Sequence, residues 1–338
     1  MANMEPFGES TSNDSVTPNI IFDAYGIMDT SGNGVTLGIV TAYYYDAVQN
    51  DLNKYCELTG IEKGNITVRR NSNEAFANER IKTLWKNETA LDVQWAHSIA
   101  PKSEVVCYFS RSDDIKDMFE MIKEAENECD IVLLSFGTAE SGISVDYEDF
   151  FYNSKALYVC ASGNANKVFY PASSKYTLSV GATEMYFDRK GTKIGCEHYK
   201  KGGCGISRYI DIPTHQKKYT RFGEKRLVPD LSFYSGGNRG VLFYCSETGG
   251  IQSAAGTSVS AVCVAGICAN IAERDKTILK EKASYFYKLA DDKRYYYLFN
   301  DIVMGRNEKY KTTRGFDLCT GLGVPKLDRI IDHLLTLS

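Results

Sequence analysis

Short apolar runs alternate with longer amphipathic stretches over much of this chain. The runs at 35–40, 66–69, 104–109, 131–136, 156–161 and 178–180 are mostly Val, Ile, Leu and aromatic residues, and they read as strands. The stretches at 45–59, 75–99 and 113–128 carry apolar positions at helical spacing, and the second stops before Pro101. Strands apolar at nearly every position are buried on both faces, which calls for a parallel sheet covered by helices on each side. The pattern predicts an α/β fold around a mostly parallel sheet. Sites in such folds gather at the carboxyl ends of the strands.

Two stretches depart from the rhythm. Residues 186–226 are polar and rich in Lys and Gly, and read as a surface excursion or hairpin. Residues 1–16 are polar and read as a flexible lead-in. No internal repeat or low-complexity linker divides the remainder, so 17–338 is expected to form one domain.

Composition removes several function classes. The chain has 338 residues, 43% hydrophobic and 24% charged, with a net charge of −4 and no basic stripe. Those values describe a globular protein without a nucleic-acid surface. The longest apolar run is too short to span a bilayer. The polar lead-in is no signal peptide, which points to a cytoplasmic protein. Ten cysteines are scattered, many in apolar contexts such as Cys107, Cys160, Cys263 and Cys268, as expected of reduced thiols used as small hydrophobes. Without a secretory leader, the sequons at Asn65 and Asn87 read as coincidence. Cys196, His198 and Cys204 form a Cys-x-His-x5-Cys cluster that lacks a fourth zinc ligand. Gly32-Asn33-Gly34 precedes its strand, and the stretch 250–258 lacks the P-loop lysine, so neither nucleotide fingerprint is met.

Two features carry candidate chemistry. Gly256, Thr257 and Ser258 deliver a serine to the head of the apolar stretch 262–272. Such a serine is either a helix cap or a nucleophile set beside unpaired N–H groups and the positive helix end. Glu88 and Asp92 stand four residues apart inside a helical pattern, on one face. They are either two solvated like charges or, among Ala90, Leu91, Val93 and Trp95, a partly buried pair sharing a proton.

Taken in order, eight stretches resemble the sedolisins, serine-carboxyl peptidases with a subtilisin-like fold: TPNIIFDAYGI, GVTLGIVTAYYYDAVQNDLNKY, NETALDVQWAHSIAPKSEV, DIVLLSFGTAE, RLVPDLSFYSGG, AAGTSVSAVCVAG, FNDIVMGRN and GFDLCTGLGVP. The resemblance runs from Thr17 onward. It implies a three-layer subtilisin-like fold and an endopeptidase in which Ser258 is the nucleophile, Glu88 its general base and Asp92 the residue orienting Glu88. Where a subtilisin carries its aspartate, Thr41 and Ala42 stand here, and His97, His198, His215 and His333 match no Asp-His-Ser pattern. At the oxyanion position the family carries aspartate and this chain Asn164. An amide donates at any pH, whereas an aspartate must be protonated first. The resemblance also implies a calcium loop within 299–323, with ligands from the Asp301 and Asp317 carboxylates and the Ile302, Thr313 and Gly315 carbonyls. Thr313 stands where the family usually has glycine.

The implied partners are a peptide or protein substrate and a separate prodomain or inhibitor, with no nucleic acid and no membrane. Two other readings remain: a catalytically weak or inactive pseudoprotease that binds peptides, and a histidine-based subtilisin-like enzyme.

Overall fold

The apolar runs pair side by side as predicted. A computed structural model describes residues 4–6, 9–10, 15–71, 75–187, 193–237, 239–291 and 293–336. The chain enters as two short strands, β1 (Glu5–Pro6) and β2 (Glu9–Ser10). The main sheet is built from β3 (Thr36–Ala42), β4 (Ile66–Arg70), β5 (Glu104–Ser110) and β6 (Ile131–Leu134). A short strand β7 (Phe136–Ala139) follows, then β8 (Leu157–Ala161), β9 (Phe169–Tyr170) and the long β10 (Leu178–Phe187). Next come β11 (Lys193–His198), β12 (Gly205–Asp211), β13 (Lys225–Val228), β14 (Leu231–Tyr234), β15 (Val241–Cys245) and β16 (Gly250–Ala255). The sheet order is β11-β10-β8-β6-β3-β5-β4, with β14 also beside β10. All its pairings are parallel except that of β11.

Period-two alternation divides each central strand between two cores. Leu37 and Ile39, Val105 and Cys107, Ile131 and Leu133, and Leu157 and Val159 join one buried cluster. Val40 and Ala42, Val106 and Tyr108, Val132 and Leu134, and Tyr158 and Cys160 join the other. The first core holds the helix Glu79–Ile99 over most of its buried length and the helix Thr257–Arg274; the second holds the helix Ile115–Glu128. This is the expected three-layer arrangement.

The expected strand at 131–136 is broken. β6 ends at Leu134, and β7 turns away to pair with β9 instead. Ser135, between them, faces the two helices of the first core, as described below. Residues 186–226 stay with the domain: β11 extends the main sheet and β12 pairs with β13. The lead-in is not free at its described positions, contrary to expectation. β1 pairs with β7 and β2 with β16, and Met4 and Val16 are buried. Open strand edges present unpaired N–H and C=O groups, and these residues cover them.

The helix Glu79–Ile99 (the glutamate helix) and the helix Thr257–Arg274 (the serine helix) lie against each other. Asn270 near the end of the second donates to the carbonyl of Ile99 at the end of the first (2.8 Å), so the two run in the same direction. Their spacing depends on Gly266. A Cβ there would stand 2.6 Å from both Cβ and Cγ2 of buried Ile99. Gly266→Ala gains about 1 kcal/mol in helix propensity. It also forces two helices apart in a close-packed core, at about 1–3 kcal/mol. Because the clash is with atoms next to the backbone, the second effect wins. Urea unfolding of Gly266→Ala is expected to show a net loss of about 1–2 kcal/mol.

Candidate active site

Glu88 and Asp92 occupy the middle of the glutamate helix, and both are buried, at 3% and 1% exposure. The helix is held on several sides. Asn78 caps its start by accepting from the Ile81 N–H (2.9 Å). Gln94 both donates to the Tyr244 carbonyl (2.6 Å) and accepts from the Tyr244 N–H (2.8 Å), clamping the helix to β15. Trp95 donates to the Leu242 carbonyl (2.9 Å). Thr41, at the carboxyl end of β3, stands 2.6 Å from the Thr89 hydroxyl. Thr89 gives its proton to the Trp85 carbonyl, so Thr41 is the donor of that pair. These contacts fix which face of the helix looks at the serine helix.

Burial pushes the Asp92 carboxyl well above the usual carboxylate range, and the charge of Glu88 pushes it further; a hydrogen bond from Ser135 opposes both. Burial raises the thiol pKa values of Cys107 and Cys263, and nearby Asp92 adds to the effect. The i, i+4 pair is therefore the buried alternative of the two readings. With both carboxyls out of water, one proton between them is cheaper than two charges, so the two titrate as a pair.

Ser258 is in the first turn of the serine helix and fully buried. Its Oγ donates to the Ser135 carbonyl at 3.2 Å. The Ser135 hydroxyl donates to Asp92 Oδ1 at 2.9 Å. Ser135 thus joins the nucleophile candidate to the carboxylate pair through its own backbone and side chain. Sequence analysis did not single it out. Its signal was present in the run DIVLLSFGTAE, where a lone polar residue interrupts an apolar strand.

Asn164 follows β8 and comes to the same place. Its Oδ1 accepts from the Thr257 N–H (2.9 Å) and stands 3.2 Å from the Thr257 hydroxyl. A backbone N–H can only donate, so this bond fixes Oδ1 toward the helix and leaves Nδ2 as the other end of the amide. The Thr257 hydroxyl in turn accepts from the Gly163 N–H at 3.0 Å. Gly163 has φ of +100°, and a Cβ there would strike the Phe169 ring at 2.2 Å. Only glycine lets the chain turn here and bring Asn164 to the serine helix. Thr41, Ser135 and Asn164 come from the ends of β3, β6 and β8, adjacent parallel strands.

Among the described residues no histidine is hydrogen-bonded to Ser258. His97 bonds the Glu62 carbonyl (2.7 Å) and His215 lies against the Tyr287 ring. His198 is buried, its pKa lowered to about 4 chiefly by that burial. Cys196, His198 and Cys204 form no metal cluster: no group of three His, Cys, Asp or Glu able to hold an ion occurs among the described residues.

Of the residues expected to bind calcium, Asp301 and Asp317 both approach the turn at 313–315. The Gly315 N–H donates to Asp301 Oδ2 (3.0 Å) and the Thr313 N–H to Asp317 Oδ2 (2.9 Å). Asp317 Oδ1 also accepts from the N–H groups of Cys319 (2.8 Å) and Thr320 (2.9 Å). Here the two carboxylates cap turns. Burial still raises Asp317 to about 6 against those donors. Two carboxylates beside a carbonyl-bearing turn are a donor set of the kind calcium takes. The loop docks on β14, where Leu322 donates to the Asp230 carbonyl (2.8 Å) and Ser232 to the Gly323 carbonyl (3.0 Å). The far end of β14 accepts from Ser260 of the serine helix, at the Phe233 carbonyl (2.9 Å).

Comparison with known proteins bears on the family and the fold. The subtilase family profile matches residues 77–292. Sedolisin of Pseudomonas sp. (strain 101) is 27% identical over 175 residues, 48% of this chain and 29% of that protein. Tripeptidyl-peptidase 1 of Dictyostelium discoideum is 26% identical over 294 residues, 73% of this chain and 47% of that one. Kumamolisin of Bacillus sp. (strain MN-32) is 24% identical over 287 residues, 73% and 50% respectively. The chain thus spans half the length of these relatives or less. Among solved structures, a Pseudomonas sedolisin, described as a serine-carboxyl proteinase complexed with two molecules of pseudo-iodotyrostatin, shares the fold with a TM-score of 0.82. It is 19% identical, with 96% of this chain and 99% of that one covered. The chain belongs to the subtilase family.

Proposed function

We propose that the protein is a serine-carboxyl endopeptidase that cuts peptide bonds through an acyl-enzyme on Ser258. The observation that carries this reading is the buried chain of contacts from Ser258 through Ser135 to Asp92, with Glu88 on the same helix face. In the proposed reaction Glu88 takes the Ser258 proton as Oγ attacks the scissile carbonyl, then returns it to the leaving amine. Asp92 holds the pair's shared proton and orients Glu88. Asn164 Nδ2 and the N–H groups of the first helical turn donate to the oxyanion, and water then releases the acyl group. A calcium ion would be held by the Asp301 and Asp317 carboxylates with the carbonyls of Ile302, Thr313 and Gly315. Its chemistry is structural, cross-linking the loop that buttresses β14.

Replacement of the nucleophile tests the reading. Ser258→Ala is expected to lower peptide hydrolysis by about 10⁴-fold or more, with an unchanged far-ultraviolet spectrum. Glu88→Gln, which keeps shape and loses the base, is expected to cost about 10²–10⁴. A folded Ser258→Ala chain that still turns over substrate would remove Ser258 from the chemistry.

The pH profile follows from which states are competent. Glu88 works as a base when the pair carries one proton, placed in this reading on Asp92, whose burial disfavours its charged form. Activity falls as pH drops and the second proton loads Glu88, so the acid limb reports an apparent pKa of the pair. Asn164 donates without a proton of its own, which sustains activity toward neutral pH. In Asn164→Asp the donor must be protonated, against an ordinary carboxylate pKa of about 3.9. Its optimum is expected to move toward acid, with a loss of roughly 10²-fold at pH 7. A profile unmoved by the substitution would take Asn164 out of the oxyanion site.

Calcium is tested by stability. An ion that binds the folded state alone raises the melting temperature with its concentration. Added calcium is expected to do so, chelator to reverse it, and Asp317→Asn to abolish the response. A melting temperature indifferent to both would leave Asp301 and Asp317 as turn caps only.

A further inference from the structure

The lysine-rich excursion that ends at residue 226 has no part in the proposed reaction, yet it walls a cavity of about 780 Å³. The other walls are Lys175 and Tyr176, just ahead of β10, and the helix Ala283–Asp291. From the excursion come Asp211, at the end of β12, and the start of the 3₁₀ helix Thr214–Phe222. Small-molecule sites usually enclose about 300–1,000 Å³. The cavity is separate from the candidate active site. β8 and β10 run parallel, and Asn164 follows the carboxyl end of β8, whereas Lys175 precedes the amino end of β10. Lys282, one residue ahead of the helix Ala283–Asp291, donates to the Ser154 carbonyl, which lies ahead of β8 (2.8 Å). The cavity thus lies at the opposite end of the sheet from Ser258.

Its charge is concentrated and of one sign, in a chain whose net charge is −4. The lining presents Lys175, Lys217, Lys218 and Lys288 against Asp211 and Asp291. Both aspartates are already paired, Asp211 with Lys225 outside the cavity (2.7 Å) and Asp291 with Lys218. Lys288 reaches Glu281 on the surface. Lys175 and Lys217 have no ion-pair partner among the described residues. Burial lowers the pKa of His215 to about 4, so this lining residue is neutral at pH 7 and the positive charge is all lysine. Below it the floor is fixed. The His215 ring lies 4.7 Å from that of Tyr287. The Tyr287 hydroxyl donates to Asp230 Oδ1 (2.8 Å) and accepts from Gln216 Nε2 (2.8 Å). Asp230 is in turn paired with fully buried Arg226. A satisfied buried network of this kind is rigid.

Several amines around one concave surface repel each other, and the field they focus there draws in a counter-anion. The kind of cation narrows the anion. An ammonium is a point charge that meets phosphate oxygens from many angles, whereas a planar carboxylate is best matched by the fork of an arginine. The described lining holds lysines and no arginine. They also stand on three separate segments, so an anion that meets them all must carry its charge at several points. We infer that this cavity is a binding site for a compact organic anion bearing several phosphate groups, held by Lys175, Lys217, Lys218 and Lys288. Exposed ion pairs are weak, so Lys218 and Lys288 can leave their carboxylates and turn to the ligand.

Isothermal titration calorimetry of the full chain tests this. The probes are inositol hexakisphosphate and ATP, in about 0.15 M salt free of divalent cations. At least one is expected to bind saturably, one per chain, with sulfate showing no saturation over the same range. The tighter of the two identifies the scaffold, a ring of phosphates or a phosphate chain on a base. Lys175→Glu combined with Lys217→Glu is expected to weaken binding by about 100-fold or more. Lys116→Glu combined with Lys123→Glu changes the net charge equally on the exposed side of the helix Ile115–Glu128, outside the cavity, and is expected to leave binding unchanged. Binding of neither probe, binding undiminished in the first double variant, or equal loss in the second overturns the proposal. Should the first double variant lose its native circular dichroism, Lys175→Gln with Lys217→Gln removes the charge without reversing it and is read in the same way. Ser258→Ala is expected to bind as the unaltered chain does, so the result stands whether or not the peptidase reading holds.

Discussion

Ser135 faces two ways, and the candidate site depends on it. Its carbonyl receives the Ser258 hydroxyl and its own hydroxyl reaches Asp92. A buried carboxyl pair is costly unless neighbours donate to it. A hydrogen bond to such a group contributes about 0.5–1.5 kcal/mol when it is neutral and about 1.5–3 kcal/mol when it is charged. Ser135 supplies such a bond just past the end of β6. To do so the chain stops pairing at Leu134 and resumes on a different sheet at Phe136. The interruption of the strand and the assembly of the site are one event.

Around that point the fold works as a clamp on two helices. The glutamate helix is tied to β15 through Gln94 and Trp95 and to β3 through Thr41. The serine helix is tied to β14 through Ser260 and to the turn after β8 through Thr257. Gly266 and Ile99 set how near the two can come. None of these residues donates or takes a proton in the proposed reaction. Each limits how far Glu88 can drift from Ser258, and small displacements matter when a hydroxyl must meet a base at hydrogen-bonding distance.

Much of the fold was legible because parallel strands buried on both faces leave continuous apolar runs between helical patterns. The site was legible where chemistry and periodicity coincide. Glu88 and Asp92 share a helix face by spacing alone, and Ser258 stands at a small-residue turn before an apolar helix. What spacing left open was whether the pair is buried, since that depends on which face the helix turns inward. Ser135 was hidden because an apolar run does not reveal that its pairing partner changes midway. β11 was hidden for a different reason: an edge strand exposes its polar side chains, and Lys193 and Glu197 look like surface. The pairing of residues 5–6 and 9–10 was unreadable because it is made by backbone groups, which every sequence carries. The loop within 299–323 is an intermediate case. The approach of Asp301 and Asp317 to residues 313–315 followed from the family pattern, while their backbone N–H partners did not.

In the proposed reaction Glu88, through the pair it forms with Asp92, serves Ser258 as its base while Asn164 meets the oxyanion. The most direct measurement is a crystal structure of the protein with a peptide aldehyde bound. The account predicts a hemiacetal on Ser258 Oγ, with Glu88 within about 2.6–3.2 Å of that oxygen. It also predicts the hemiacetal hydroxyl about 2.7–3.1 Å from Asn164 Nδ2. An adduct on another residue, an imidazole in the place of Glu88, or an oxyanion turned away from Asn164 would contradict it.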